Sequence, residues 1–407
     1  MTDVSYLLSA RAVRERAHQL LALGLDGKLP HFRIDLAKLD AIADLVLDVT
    51  SKAYPNGEVP FHSRWRHFVV AGVDRWAEIA AGVSWPDAAS RAGAEFDLAI
   101  TSVLLDAGAG AAWRYQDAVT DARIGRSEGL ALASLDMFAS GAFSADANNP
   151  LRADAAKLMQ LTVADLERGF QVGPGNPLVG LQGRVALLRR LGEVIAAQPG
   201  IFGAKDRPRP GGLFDELATV ATSGHLHAAD ILQQVLLQLG PIWPSRLALQ
   251  GVALGDCWRY PSLVTADETT GLVPLHKLSQ WLSYSLIEPL QRAGLVVDDI
   301  DGLTGLAEYR NGGLFVDGDV LSLRDPADAT RAHAVDSPLV VEWRALTVAL
   351  LDRLAALIRE RTGQTPEQLP LARILEGGSW AAGRKLAFAR RPDGSPPLTI
   401  ISDGTVF

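Results

Sequence analysis

Apolar residues recur at intervals of three and four along most of the chain, the spacing of a buried stripe on an α-helix. "SARAVRERAHQLLALG" opens on a serine and stops at Gly24, which predicts a Ser-capped first helix. "RIDLAKLDAIADLVLDVTSKAY" keeps the period and ends before Pro55. "FDLAITSVLLDAGAGAAWRYQDAV" is apolar through most of its first half, as a central buried helix is. "RVALLRRLGEVIAAQ", "HAADILQQVLLQLG", "PLHKLSQWLSYSLIEPLQRAG" and "SPLVVEWRALTVALLDRLAALIRERTG" predict further helices with Pro or Gly stops. In "FHSRWRHFVVAGVDRWAEIAAGV", Trp65, Val69, Gly72, Trp76 and Ile79 fall at helical spacing and predict a helix within 61–83 with Ser63 as its N-cap.

Alternating runs are few. "GLFVDGDVLSLRD" predicts two short strands around Asp317 and Gly318, near 314–323. "RKLAFARRPDGSPPLTIISDGTVF" predicts a terminal hairpin around 384–407. The expected fold is mainly α: a single mostly helical domain over 1–407 with small β-hairpin decorations. A split near residue 205 is open, but no composition shift demands it.

The 407 residues are 48% hydrophobic, enough for a substantial core, and carry 39 Lys and Arg against 47 Asp and Glu. A net charge of -8 argues against nucleic acid as a partner, since phosphate neutralisation needs a basic face. The single cysteine, Cys257, supports neither a disulfide framework nor a thiolate metal site, and fits a reducing compartment. "MTDVSYLLSARAVRERAHQLL" has no long apolar core before its charges, and no apolar run is long enough for a bilayer. A cytoplasmic protein without a membrane partner is expected.

Several clusters carry candidate chemistry. A helix starting after Ser63 would place Arg64 and Arg66 in its first turn, with His62 before it and His67 inside. Cations there oppose the helix dipole, so an anion such as phosphate would explain them. Pairing with distant carboxylates would explain them equally. On "PLHKLSQWLSYSLIEPL", Leu275, Leu278, Leu282 and Leu286 form one face, and Lys277, Trp281 and Glu288 line another. Lys277 either snorkels to solvent or presents an ammonium to an aromatic-walled pocket. Asp106, Trp113 and Asp117 in "DAGAGAAWRYQD" face a pocket or link helices. His225 and His227, two apart with no third ligand nearby, favour a structural role over a metal site. "GLAEYRNGGLF" sets Glu308 in an apolar run directly before Tyr309 and Arg310. No serine-elbow or Cys/His nucleophile motif is present.

"FHSRWRHFVVAGVDR", "SLDMFASGAFS", "PLHKLSQWLSYSLIEPL" and "LAEYRNGGLF" together resemble, over nearly the full chain, the uracil-catabolism family of bacteria and fungi. That family acts where the uracil ring is opened after attachment to ribose phosphate, and has long carried an unknown-function label. The order of segments is also similar to the queuosine-salvage N-ribohydrolases, whose helical fold is related to DNA glycosylases. "VLLDAGAGAAW", "GLALASLDMFASGAF", "HKLSQWL", "AEYR" and "VEWRALTVALL" stand in the places of that family's segments. The resemblance implies a helical DNA glycosylase-like fold and an N-glycosidase with Glu308 and Lys277 as catalytic groups. Its substrate would be a ribose-linked urea metabolite, ribosylurea or its 5′-phosphate. His62, Arg64, Arg66, His67, Trp113, Trp281, Tyr309 and Arg310 would bind it. No cofactor and no metal are implied. Three departures separate the chain from the queuosine-salvage pattern: Glu308 replaces Asp, "RNGG" replaces Val-Pro-Gln after the Arg, and "FHSRWRHF" has no counterpart.

Overall fold

The first helix, Ala10–Leu25, begins where its serine predicts, with Ser9 Oγ accepting the Ala12 N–H at 3.1 Å. The computed structural model to which it belongs describes residues 4–106, 108–110, 112–203, 207–243 and 247–401. The fold is mainly α, and the strands among the described residues form only two-stranded pairs. No helix among the described residues is long and apolar enough to cross a membrane. The described residues form two compact units, one within Met1–His62, Ser245–Gln280 and Asp299–Phe407, the other within Ser63–Pro244 and Trp281–Asp298.

The first unit is built around the helix Pro338–Thr362, opened by Ser337 and closed by Gly363 at φ 66. Its first half is buried on every side, which accounts for the lack of a polar face in "LVVEWRALTVALL". Ala10–Leu25, Leu39–Ala53 and Tyr309–Asp317 pack against it. The glycines of "RNGG" have a packing reason. A Cβ on Gly312 would stand 2.7 Å from the buried Trp343 indole, whose Nε1 donates to the Gly312 carbonyl at 3.1 Å. The predicted strands near 314–323 are half corrected: 309–317 is helical, and only Leu321–Leu323 is a strand. That strand pairs antiparallel with Phe32–Ile34, not with its chain neighbour. The buried Leu314 and Phe315 belong to a helical stripe that a short window cannot tell from a strand. The terminal hairpin is corrected too. Trp380–Arg390 is a helix, and Thr399–Ile401 runs parallel to Ala332–Ala334. Residues 402–407 of that expectation lie outside the described residues.

In the second unit the helix predicted after Ser63 is three pieces. Arg64–Phe68 is a 3-10 turn, Val69–Val70 and Val73–Asp74 form a hairpin, and Arg75–Ala81 is a short helix capped by Asp74. The hairpin turns through Ala71 at φ 50 and Gly72 at φ 83. Gly72 therefore marks a reversal that only a positive φ permits, although it also fits the helical stripe. The 3-10 turn is seated by a proline. Pro289, inside the helix Lys277–Arg292, has no N–H to offer the carbonyl of Ser285 one turn back. That carbonyl accepts the Trp65 indole N–H at 2.7 Å instead, and Ser285 Oγ accepts the Arg64 backbone N–H at 2.9 Å.

Candidate active site in the first unit

Glu308 is the N-cap of Tyr309–Asp317. Its Oε2 accepts the Arg310 N–H at 2.7 Å and its Oε1 the Asn311 N–H at 2.6 Å. Glutamate is not among the favoured N-caps, because its extra methylene must fold back to reach the N–H groups. Each oxygen keeps a further lone pair for another donor. Burial pushes the Glu308 carboxyl above its ordinary value, and this outweighs the Arg310 N–H, the Lys277 ammonium, the Asn311 N–H and His62, which all pull it down. Lys277 and His62 are thus within electrostatic reach of it.

 Both residues precede Glu308 in the chain, Lys277 by 31 positions and His62 by 246, so only the fold brings the three together.

The Lys277 ammonium makes no hydrogen bond or ion pair with any described residue. Its backbone, in contrast, is tightly held. Lys277 N–H donates to Asp256 Oδ2 at 2.9 Å, and Arg344 forks onto the same carboxylate with two bonds of 2.8 Å. Burial alone would raise the Asp256 carboxyl, but the Arg344 guanidinium and the N–H donors outweigh it and hold the group at about 2. Arg344 Nε donates to the Ala307 carbonyl at 3.2 Å, one residue before Glu308. One buried arginine therefore ties the backbone of Lys277 to that of Glu308.

His62 is 8% exposed, and its Nδ1 lies 2.7 Å from Glu376 Oε2. Tyr54 donates its hydroxyl to the other Glu376 oxygen at 3.0 Å. Glu376 sits in a π-helical turn, Leu375–Ser379, whose two glycines rest against Thr50 and Val46. Ser379 of that turn donates to Asn311 Oδ1 at 2.9 Å, and Asn311 is one of the residues that Glu308 caps. Tyr54 also lines a largely apolar cleft of ≈330 Å³ with Val59, Ile358, Leu369 and Arg373. Tyr309 is partly exposed and stacks under the Arg310 guanidinium at 4.9 Å, while Arg310 Nη1 donates to the Gly394 carbonyl at 2.9 Å.

The remaining predicted site residues belong to the second unit. Arg64 is fully buried. It donates to Ser102 Oγ at 2.7 Å, pairs with Asp106 at 3.2 Å, lies 3.3 Å from His67 Nδ1, and stands over the Trp281 ring at 5.4 Å. Arg66 pairs with Glu288 at 2.6 Å. Arg64 and Arg66 thus pair with carboxylates of the chain itself, one of the two alternatives their charges left open, and a five-residue 3-10 turn replaces the expected helix start. Trp113 is a core residue, 0% exposed, with its indole N–H on the Phe170 carbonyl at 2.9 Å. Asp117 and Asp136 pair with Arg75. His225 and His227 lie on a strand, not a helix, and His225 pairs with Asp298. Among the described residues, no group of three or more His, Cys, Asp or Glu side chains is placed to hold a metal ion.

Glu376, Asp256 and Arg344 were not singled out from the sequence. "LEGGSW" offered an acid before paired glycines, and "VEWRALTVALL" an arginine inside an apolar run. Neither signal names its partner, which lies 314 positions away for Glu376 and 88 for Arg344.

The family described as "Protein of unknown function (DUF1688)" matches residues 6–407. The chain is 39% identical to the Schizosaccharomyces pombe protein named "Protein urg3", over 417 residues and 99% of each chain. It is 36% identical to the Lachancea kluyveri protein named "Uracil catabolism protein 4", over 444 residues and again 99% of each chain.

Proposed function

The chain belongs to the DUF1688 family, and we propose that it acts in uracil catabolism as an N-ribohydrolase. Its substrate is ribosylurea or ribosylurea 5′-phosphate, and its products are urea and ribose or ribose phosphate. The name of the Lachancea kluyveri relative supports the pathway. The observation that carries the reaction is the Glu308 carboxyl, desolvated at a helix start and within electrostatic reach of the Lys277 ammonium, which has no other partner among the described residues.

Breaking the C1′–N bond builds positive charge on the sugar ring. A carboxylate beside C1′ stabilises that charge and takes a proton from the attacking water. The two backbone N–H groups hold Glu308 in one orientation, so little reorganisation is needed as the charge develops. Lys277 opposes the effect of burial on the carboxyl, and its ammonium can donate to the urea oxygen.

The test is incubation of the purified protein with ribosylurea and, separately, with its 5′-phosphate, assaying urea and free reducing sugar. Equimolar release of both products from one of the two substrates is expected. Ammonia or carbamate without free sugar would assign an amide-cleaving step instead. Binding of either compound without turnover would leave a metabolite-binding protein.

A further inference from the structure

We propose that His62, oriented by Glu376, is the acid that protonates the departing urea nitrogen; this rests on the N-ribohydrolase reading above. Urea is a poor leaving group as an anion, so a carboxylate at C1′ accounts for only half of the reaction. The nitrogen that leaves needs a proton, and general acids of this kind contribute about 10²–10⁴ in rate.

Three observations assign that role to His62. The Nδ1 to Glu376 distance of 2.7 Å fixes the ring, with Nδ1–H donating to the carboxylate and Nε2 directed away from it. Glu376 is itself fixed, because Tyr54 donates to its second oxygen at 3.0 Å. The π-helical turn that carries Glu376 is bonded to the helix that Glu308 caps, through Ser379 and Asn311 at 2.9 Å. Such turns are uncommon and concentrate at functional sites. Here the turn shifts the register of its segment so that Glu376 reaches His62 while Ser379 reaches Asn311. His62 also lies within electrostatic reach of Glu308.

The step balances. The electron pair of the C1′–N bond stays on nitrogen, which takes the Nε2 proton of the His62 imidazolium. The water oxygen bonds to C1′, and its proton passes to Glu308. A proton then returns from Glu308 to His62, so that one water is consumed and no net proton. Glu376 touches no reacting atom; it is a positioning residue that holds the imidazolium through Nδ1.

The experiment compares two substrates that differ in how much they need an acid. Ribosylurea needs one; 4-nitrophenyl β-D-ribofuranoside departs as a stable phenolate. His62→Gln and Glu376→Gln are each expected to lose at least about a hundredfold in kcat on ribosylurea and no more than about tenfold on the nitrophenyl riboside. Glu308→Gln is expected to lose on both. Retained nitrophenyl cleavage also shows that the variants fold. Equal losses on the two substrates, or undiminished cleavage of ribosylurea by His62→Gln, would overturn the role of His62. Wild-type protein that leaves ribosylurea intact would overturn the reaction itself, and the role of His62 with it.

Discussion

Glu342 offers a quantitative test of how the first unit is held together. Its side chain is fully buried in the middle of Pro338–Thr362. It accepts the Tyr260 hydroxyl at 2.7 Å, the Phe32 N–H at 2.8 Å and the His31 N–H at 3.3 Å, and it forms no ion pair with a described residue. Burial pushes its carboxyl up to about 7 from an ordinary 4.5, against the pull of those donors. Because the folded value is raised, the native state keeps a proton that the unfolded chain gives up above the ordinary value. The stabilisation is fully present below pH 4.5 and is lost as pH rises through about 7. At about 1.4 kcal/mol per pH unit, the loss across that window is about 3 kcal/mol. Glu342→Gln keeps the acceptor for Phe32 and His31, obliges the Tyr260 hydroxyl to reverse, and cannot titrate. Urea unfolding of both proteins between pH 4.5 and 8 cancels the groups they share. The variant should gain about 3 kcal/mol relative to wild type across that range, with most of the change below pH 7. A difference constant to within about 0.5 kcal/mol would refute the buried, unpaired carboxyl.

Asp256→Asn leaves the buried Arg344 without its counter-charge and should cost about 3–5 kcal/mol at neutral pH. The depressed Asp256 value means that this difference should shrink as pH falls through about 2, as read by acid unfolding of the pair of proteins. Trp65→Phe removes the donor that meets the Ser285 carbonyl above Pro289, and calorimetry should show a loss of about 1–3 kcal/mol beyond that of the indole's packing. Gly312→Ala drives a Cβ into the buried Trp343 ring and should cost about 1–3 kcal/mol by urea unfolding, with blue-shifted or broadened tryptophan emission marking the displaced ring.

Long helices were legible because their period runs for three or more turns and their ends carry caps. Ser9, Ser337 and Gly363 stand at the boundaries their residue types predict. Short elements were not. Five residues of 3-10 turn, a hairpin and a seven-residue helix share the 3–4 spacing of "FHSRWRHFVVAGVDRWAEIAAGV", and the left-handed turn at Ala71 and Gly72 breaks it. Strand partners were illegible for a different reason. Leu321–Leu323 and Thr399–Ile401 pair across long separations, and a local pattern carries no register. At the site, Glu308 was visible as an acid out of keeping with its apolar surroundings, and the fold brings Lys277 within reach of it. The arginines of "FHSRWRHF" were visible as unexplained charge, but their partners Asp106 and Glu288 lie outside any local window. His62 was visible only as one member of that cluster. Its bond to Glu376 depends on a π-helical turn that no local pattern announces.

The most direct test of the account is the single-turnover rate of Glu308→Gln on ribosylurea, beside its affinity for the same compound. Glutamine can still accept a backbone N–H at the helix start, so the cap is partly kept while the negative charge is lost. If the carboxylate stabilises the developing sugar cation, the rate should fall by at least about a hundredfold, and binding should change only a few-fold. A rate within about threefold of wild type would contradict the account and leave Glu308 as a helix cap alone.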